Sequence, residues 1–394
     1  MTIRAKNPDT IKQEKLDGLR DLEPGQTRRY QADARSLPLA SESVDLIVTS
    51  PPYWRKRDYR FKNQIGQERT AEEFVFALTE ALSEWSRVLR PTGSVFLNIG
   101  DTYTGRSLAG VPAMLETAAR QQGWLIRNRI IWTKPGGMPS PAKNRLTNRH
   151  EYVLHLTKGT DYFYDLQAYT EYSGREGNPG DVWQIRLGRH MGDHLAPFPH
   201  ELVERAIVLA CPLEVCSKCG EPRRRVVRRT RLLDPSRPQA RRAMAIAHEF
   251  GLSDEHIAAI QATGVSDAGK ALRTQNGTGK NSARVRQLAG EAKKVLGGYF
   301  REFTFARWET VAWTSCDCKS PFHPGIVLDP FVGTGTTMQV AASLGLAGVG
   351  TDLMSEREAA TAGNNEQFAL PIFPRGAGTH STNGNGDASV LSET

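Results

Sequence analysis

Cysteine is scarce in this chain, with five in 394 residues. That is too few for a disulfide scaffold in so long a protein. Stability must come from buried apolar surface, and the length is ample for two or three domains. Long hydrophobic runs are missing too. No window holds 18 consecutive apolar residues, which excludes a transmembrane helix. The first residues, MTIRAKNPDTIKQEK, contain no apolar h-region, so a cytoplasmic protein with no membrane partner is expected. Aromatic residues, by contrast, are well represented, with 14 Phe, 10 Tyr and 7 Trp, and 39% of the chain is hydrophobic. Global disorder and low-complexity fibre are thereby excluded.

The net charge of +8 is unevenly placed. Residues 213–323 hold 20 Lys and Arg against 11 Asp and Glu, whereas the remainder holds 31 against 32. The densest part is an arginine cluster that includes Arg223, Arg224, Arg225, Arg228 and Arg229. Such a cluster is either a solvated surface or a grip on phosphates, which gains affinity by releasing condensed counterions.

Strand and helix patterns alternate through the rest. Val44–Val48 is a short apolar run ending in a Pro-Pro turn. Ala71–Leu89 carries Phe74, Leu78, Leu82, Trp85 and Leu89 at helical spacing, and Pro91 and Gly93 are expected to stop that helix. Further strands are expected at 94–99, 125–132, 151–156, 326–328 and 348–351, with helices at 111–121, 199–209 and 336–344. This alternation argues a mainly parallel sheet covered on both faces. Five segments follow: a polar N-terminal stretch 1–27, a first half-domain 28–212, an inserted basic block 213–323, a second half-domain 324–370, and a polar tail 371–394 expected to be disordered. In the insert, helices are expected near 238–250 and around the glycine turn of 251–270, and a polar loop at 275–282.

The segment IVLDPFVGTGTT sets a glycine-rich turn between a strand and a helix. Gly333 and Gly335 let backbone N–H groups come close to a ligand. Asp352 closes the next strand, where a carboxylate can accept from both ribose hydroxyls. No Gly-Lys-Ser/Thr is present, and the third glycine of a dinucleotide fingerprint is lacking. With Asp329 at the strand tip, able to pair with a cation, S-adenosylmethionine fits better than a pyrophosphate. An ordinary tight turn is the alternative.

Thr49-Ser50-Pro51-Pro52-Tyr53-Trp54 follows the first apolar strand. Two prolines fix φ and remove N–H donors, so the turn presents acceptors. Ser50 Oγ and the Pro51 carbonyl could both accept from one exocyclic amino group, and Tyr53 offers a face for a base. Holding both amine hydrogens frees the nitrogen lone pair to attack a methyl group. A Pro-Pro loop that merely closes a strand is the alternative.

Together these segments resemble the DNA amino-methyltransferases of the permuted group, whose catalytic motif precedes the cofactor loop. Ser-Pro-Pro-Tyr in place of Asp-Pro-Pro-Tyr resembles the cytosine-N4 branch. The likeness continues through RVLRPTGSVFLNIGDTY, IIWTKPGGMP, RHEYVLHLTK, NPGDVW and HLAPFPHELVERAIVLACP, covering about 28–212 and 324–366. It implies an α/β, Rossmann-like fold with a seven-stranded, mostly parallel, circularly permuted sheet and one reversed strand, with S-adenosylmethionine as donor. It also implies double-stranded DNA as substrate, a cognate restriction endonuclease as partner, and a prokaryotic or phage origin. By the resemblance, Phe331, Gly333, Gly335 and Thr336 belong to the cofactor loop, Asp352 holds the ribose and Asp33 lies near the adenine. Ser50, Pro51, Pro52 and Tyr53 hold the target base, with Trp54, Trp132 and Lys134 nearby. Adenine N6 is the alternative target; an RNA or protein substrate, or an inactive DNA-binding protein, stand further off. The usual recognition region is short here, so the insert is the candidate DNA grip, through Arg223, Arg224, Arg225, Arg228 and Arg229.

Cys216-x-x-Cys219 and Cys316-x-Cys318 lie at the two edges of the insert. Two chelating pairs suit a tetrahedral structural zinc that would tie those edges together, with His323 as a possible substitute ligand. A redox pair or unrelated thiols are the alternatives. Cys211 precedes a proline rather than following one and is expected to be a packed core thiol.

Overall fold

A computed structural model describes residues 19–355, apart from 57, 60, 106, 137–142, 175–177, 187–198, 265–280, 305 and 307. The expected N-terminal stretch to residue 18, the polar loop 275–280 and the tail 371–394 lie outside the described residues.

Fourteen strands are found among the described residues. Eight form one sheet: β1 (Thr27–Gln31), β2 (Val44–Thr49), β3 (Leu89–Ile99), β6 (Leu125–Thr133), β7 (His150–Thr157), β8 (Val182–Gln184), β13 (Ile326–Asp329) and β14 (Ala347–Asp352). Their order is β1-β14-β13-β2-β3-β7-β6-β8. The strand expectations hold, but the count of seven is corrected to eight. Val182–Gln184 adds an edge strand parallel to β6. Only β7 is reversed, antiparallel to both β3 and β6. The remaining six strands form three two-stranded ribbons: β4 (Tyr103–Thr104) with β5 (Ser107–Leu108), β9 (Glu214–Cys216) with β12 (Phe322–Pro324), and β10 (Arg225–Arg229) with β11 (Trp308–Trp313).

Central strands β2 and β13 are buried throughout, as continuous apolar runs in a doubly covered sheet should be. The helix Ala71–Val88 starts at Thr70, whose hydroxyl accepts from the Glu73 N–H. Its Phe74, Leu78, Leu82 and Trp85 are buried in the core on one face. On the other face, helices His200–Ala210 and Thr336–Ser343 bury Leu202, Ala206, Val340 and Ala341. The expected stop at Pro91 and Gly93 is corrected. The chain passes directly from helix to strand at Leu89, and Pro91 and Gly93 lie inside β3. A Cβ at Gly93 would come within 2.8 Å of the Asp45 carbonyl, so glycine permits close strand approach there.

The chain ends of the sheet meet. β1 runs parallel to β14, pairing Tyr30 with Thr351 and Gln31 with Asp352. Beside them, β13 and β2 form the switch point: β13 leads outward to β14, whereas β2 leads the other way to β3. Open α/β sheets bind ligands outside the carboxyl ends of strands at such a point.

The block 213–323 has its own small core. Helices Pro238–Glu249, Asp254–Thr263, Ala283–Leu296 and Phe300–Thr304 gather Ile246, Ile260, Leu296, Phe300 and Phe303. Two strand ribbons, β9 with β12 and β10 with β11, carry the chain out to it and back.

Candidate active site

Ser50 and Tyr53 follow the last residue of β2, and Asn98 lies near the end of β3. Glu151 is the second residue of the reversed strand, so all four meet at the same end of the sheet. The Asn98 side-chain nitrogen lies 3.3 Å from Ser50 Oγ, 2.8 Å from the Tyr53 hydroxyl and 3.0 Å from Glu151 Oε2. The Tyr53 hydroxyl donates to that same carboxylate oxygen at 2.5 Å. Lys134, at the end of β6, pairs with the other oxygen. Burial and the adjacent Glu151 push the Tyr53 hydroxyl well above its ordinary pKa, so it stays protonated. Gly100 makes room for the ring, since a Cβ there would lie 2.8 Å from Tyr53 Cε2.

Asn98 and Glu151 were not among the residues singled out from the sequence. Each sits in a strand whose apolar neighbours dominate its pattern, and only the pairing of β3 with β7 brings them together. The two tryptophans expected beside the base are core residues instead. Trp54 is 5% exposed and donates to the Glu68 carbonyl, while Trp132 is 2% exposed and donates to the Ile185 carbonyl. They lie in different core clusters. Lys134 sits over the Trp132 ring at 4.4 Å.

Across the switch point, Asp329 is 1% exposed. It accepts from Thr49 at 2.6 Å, Thr337 at 2.7 Å and the Phe331 N–H at 3.0 Å. Burial, with Asp352 nearby, pushes its pKa up to about 6 against these three donors. The expected pairing with a ligand cation is therefore corrected. Asp329 joins the tip of β2 to the cofactor-loop helix and has no open side. The loop itself is open. Gly333 and Gly335 have φ of 48° and 91°, and a Cβ at either would meet no atom closer than 4.0 Å. Their glycines thus serve backbone conformation rather than packing. Thr336 begins the following helix and is itself buried. Phe331 meets Trp85 edge-on at 6.1 Å.

Asp352 lies beside this loop and accepts from the N–H groups of Gly333 at 2.9 Å and Met354 at 3.0 Å. Each carboxylate oxygen keeps a further acceptor position. Asp33 stands just past β1. Burial works to raise its pKa, but Arg35 donates at 2.8 Å through its N–H and at 2.7 Å through its guanidinium, and holds it below the ordinary value.

The four cysteines at the insert's edges converge, with all sulfur atoms within 4.8 Å of one another. The Cys219 and Lys218 N–H groups draw the Cys216 thiol down to about 6 against desolvation. His323 is not in this cluster; its Nδ1 faces the Pro324 carbonyl at 2.8 Å. Gly220 turns with φ of 73°, and a Cβ there would strike Arg90, which pairs with Asp45 of β2 at 2.9 Å. Cys211 is buried and its thiol pKa is pushed up by burial, in keeping with a core thiol.

The arginine cluster is not a free cationic surface. Arg223 pairs with Glu214 at 2.6 Å, Arg224 with Asp161 at 3.1 Å, and Arg225 with Asp165 at 2.7 Å and Glu171 at 3.1 Å. Arg228 pairs with Glu309 at 2.6 Å. Arg229 lies over the Trp308 ring at 4.7 Å and donates to the Gln261 carbonyl. Each of the five arginines expected to grip phosphate thus has a partner within the chain, several of them exposed acids. The ribbon of β10 and β11 uses these cations to dock on residues 161–171 and on itself.

Residues 44–213 match the family model described as DNA methylase, of the N6/N4 type. The type II methyltransferase M.Cfr9I of Citrobacter freundii is 35% identical over 236 residues, covering 52% of this chain and 79% of that protein. The chain belongs to the type II DNA methyltransferase family. Another relative, M.XycI of Xanthomonas campestris pv. cyanopsidis, is 36% identical over 211 residues, covering 45% of this chain and 70% of its own. The solved structure of the PvuII cytosine-N4-specific DNA methyltransferase aligns with a TM-score of 0.49 at 15% identity, covering 88% of this chain and 92% of that one. As a member of this family the chain is a DNA methyltransferase enzyme that uses S-adenosylmethionine. No helix among the described residues is long and apolar enough to cross a membrane.

Proposed function

We propose that this DNA methyltransferase modifies the exocyclic N4 amine of cytosine in double-stranded DNA, as the protective partner of a restriction endonuclease. The observation that carries the reading is a neutral hydroxyl, Ser50, at the position where the adenine-N6 branch resembled above has a carboxylate. It stands beside Tyr53 at the tip of β2, at the same end of the sheet as the open glycine loop. When bound, S-adenosylmethionine supplies an electrophilic methyl group. Asp352 would hold its ribose, Asp33 would lie near its adenine, and Phe331 with the loop of Gly333 and Gly335 would enclose it. Ser50 Oγ and the Pro51 carbonyl accept the two amine hydrogens, and Pro52 fixes the turn. Tyr53 stacks on the flipped base, with Lys134 at the pocket's side.

The division of the chain belongs to the same reading: one methyltransferase domain built from 28–212 and 324–370 in permuted order, interrupted by the basic insert 213–323. The separate core of the insert supports it. The cysteine cluster fits structural zinc, because tetrahedral zinc with bonds of about 2.3 Å needs sulfurs roughly 3.8 Å apart. Cys216, Cys219, Cys316 and Cys318 would hold it. Of the five cluster arginines, Arg228 remains the candidate for phosphate contact. Its side chain is 72% exposed, and its exposed pair with Glu309 is cheaply exchanged.

Nucleoside mass spectrometry of DNA methylated by the purified protein tests the reading. N4-methylcytosine is expected. N6-methyladenine would move the protein to the other branch, and neither product would end the proposal.

A further inference from the structure

We propose that the proton released from the target amine during methyl transfer leaves through Ser50 and Tyr53 to the carboxylate of Glu151, a residue outside both sequence motifs. This rests on the base-pocket reading above. Asn98 organises the path. Its amide nitrogen faces Ser50 Oγ, the Tyr53 hydroxyl and Glu151 Oε2 at 3.3, 2.8 and 3.0 Å. A carboxylate only accepts, so the atom facing it must be the NH₂ group, and Asn98 is a tether that takes no proton. Its own Oδ1 is buried without a partner.

The donors then run in one direction. Ser50 Oγ receives the Asn98 N–H, which leaves its own proton to turn toward the Tyr53 hydroxyl, the other oxygen that the same Asn98 nitrogen holds. The Tyr53 proton points to Glu151 Oε2 at 2.5 Å. Lys134 faces the other carboxylate oxygen and stabilises its negative charge. Among the described residues, Lys134 and Tyr53 are the titratable groups in contact with that carboxylate. Because the Tyr53 hydroxyl resists ionisation, it releases its proton only as it receives one.

The step balances. The amine nitrogen forms a bond to the methyl carbon, and the carbon–sulfur bond breaks with its electron pair left on sulfur. The nitrogen, now positively charged, gives a proton to Ser50 Oγ. Ser50 passes its own proton to Tyr53, and Tyr53 passes its own to Glu151. The methylated amine and the Ser50 and Tyr53 hydroxyls end neutral, and Glu151 ends as the acid until solvent takes the proton.

Glu151→Gln keeps an acceptor for Tyr53 but cannot take the proton. Its single-turnover methylation rate should fall about a hundredfold. The solvent deuterium isotope effect on the wild-type rate, which reports protons moving along the hydroxyls, should fall toward one in the variant. Calorimetric affinity for S-adenosylmethionine should not change, which also shows that the variant is folded. Tyr53→Phe should lower the same isotope effect while keeping a stacking ring, and it carries the test alone if the Gln variant does not fold. Combined, the two changes should cost little more than the worse one, as for residues acting as a unit. A Gln variant with the wild-type rate and isotope effect, or losses that multiply in the double variant, would overturn the relay. If the slowed Gln variant still yields N4-methylcytosine, the relay stands on an intact base pocket. Wild-type protein that never methylates cytosine would instead sink the base-pocket reading.

Discussion

The α/β body and the insert solve the same problem of burying charge in opposite ways. In the body, ionisable groups are few at each point and tightly enclosed: Asp329 bonds two hydroxyls and one N–H, and Asp45 bonds Arg90. In the insert and its ribbon, cations are many, and most of the cluster arginines are answered by acids on other elements. A local excess of basic residues therefore does not measure a free positive surface. What counts is whether the fold brings acids to meet it, and here residues 161–171 of the near-neutral body supply several.

The contrast can be broken most severely at Ser50. If chemistry belongs wholly to the body, Ser50→Ala should slow methylation by a factor of a hundred to a thousand, about 3–4 kcal/mol, as for loss of one preorganised hydrogen-bonding partner. Affinity for the cofactor should stay near wild type by calorimetry. An unchanged single-turnover rate would take Ser50 out of the mechanism.

Asp329 offers a test of enclosure. Its folded pKa of about 6 lies above the unfolded value of 3.8, so the folded state binds the extra proton. Stability from this group is present at acid pH and lost as pH rises from about 4 to 6, by on the order of 3 kcal/mol at most. Urea unfolding of Asp329→Asn across that window should lack this component. A variant with the same pH dependence as wild type would place the titration elsewhere.

The arginines sharpen the contrast within the insert itself. Arg225 lies between Asp165 and Glu171 with its side chain 16% exposed, so Arg225→Gln strands Asp165, whose side chain is 12% exposed. A loss of roughly 2–3 kcal/mol in stability is expected, less than for a fully buried pair. Its salt slope for DNA binding should stay that of the wild type. Arg228→Gln should do the reverse: less than about 1 kcal/mol in stability, with the slope of log affinity against log salt flattened by up to about 0.9. Equal effects of the two changes on salt dependence would erase the distinction drawn between them.

Much of this architecture could be read from residue order. V-D-L-I-V before two prolines, and I-V-L-D before a glycine turn, announce buried strands and the loops they carry, because period and turn chemistry are local. The short helix Leu166–Ser173 was not anticipated, since its eight residues carry weak periodicity and rely on Asp165 accepting from the Ala168 N–H. The eighth strand escaped for a similar reason: three residues acquire strand identity only from their partner β6.

The sequence by itself determined the type of fold, the two motif-bearing loops and the pairing of cysteines at the insert's edges. Each depends on neighbours in the chain. Only the tertiary structure decided that Asp329 is a brace, that Trp54 and Trp132 are core, that the arginines face acids, and that Asn98 and Glu151 stand beside Ser50 and Tyr53. Those roles depend on which groups approach across strands far apart in sequence, because hydrogen bonds need contact distance and favourable angles that only the folded chain supplies.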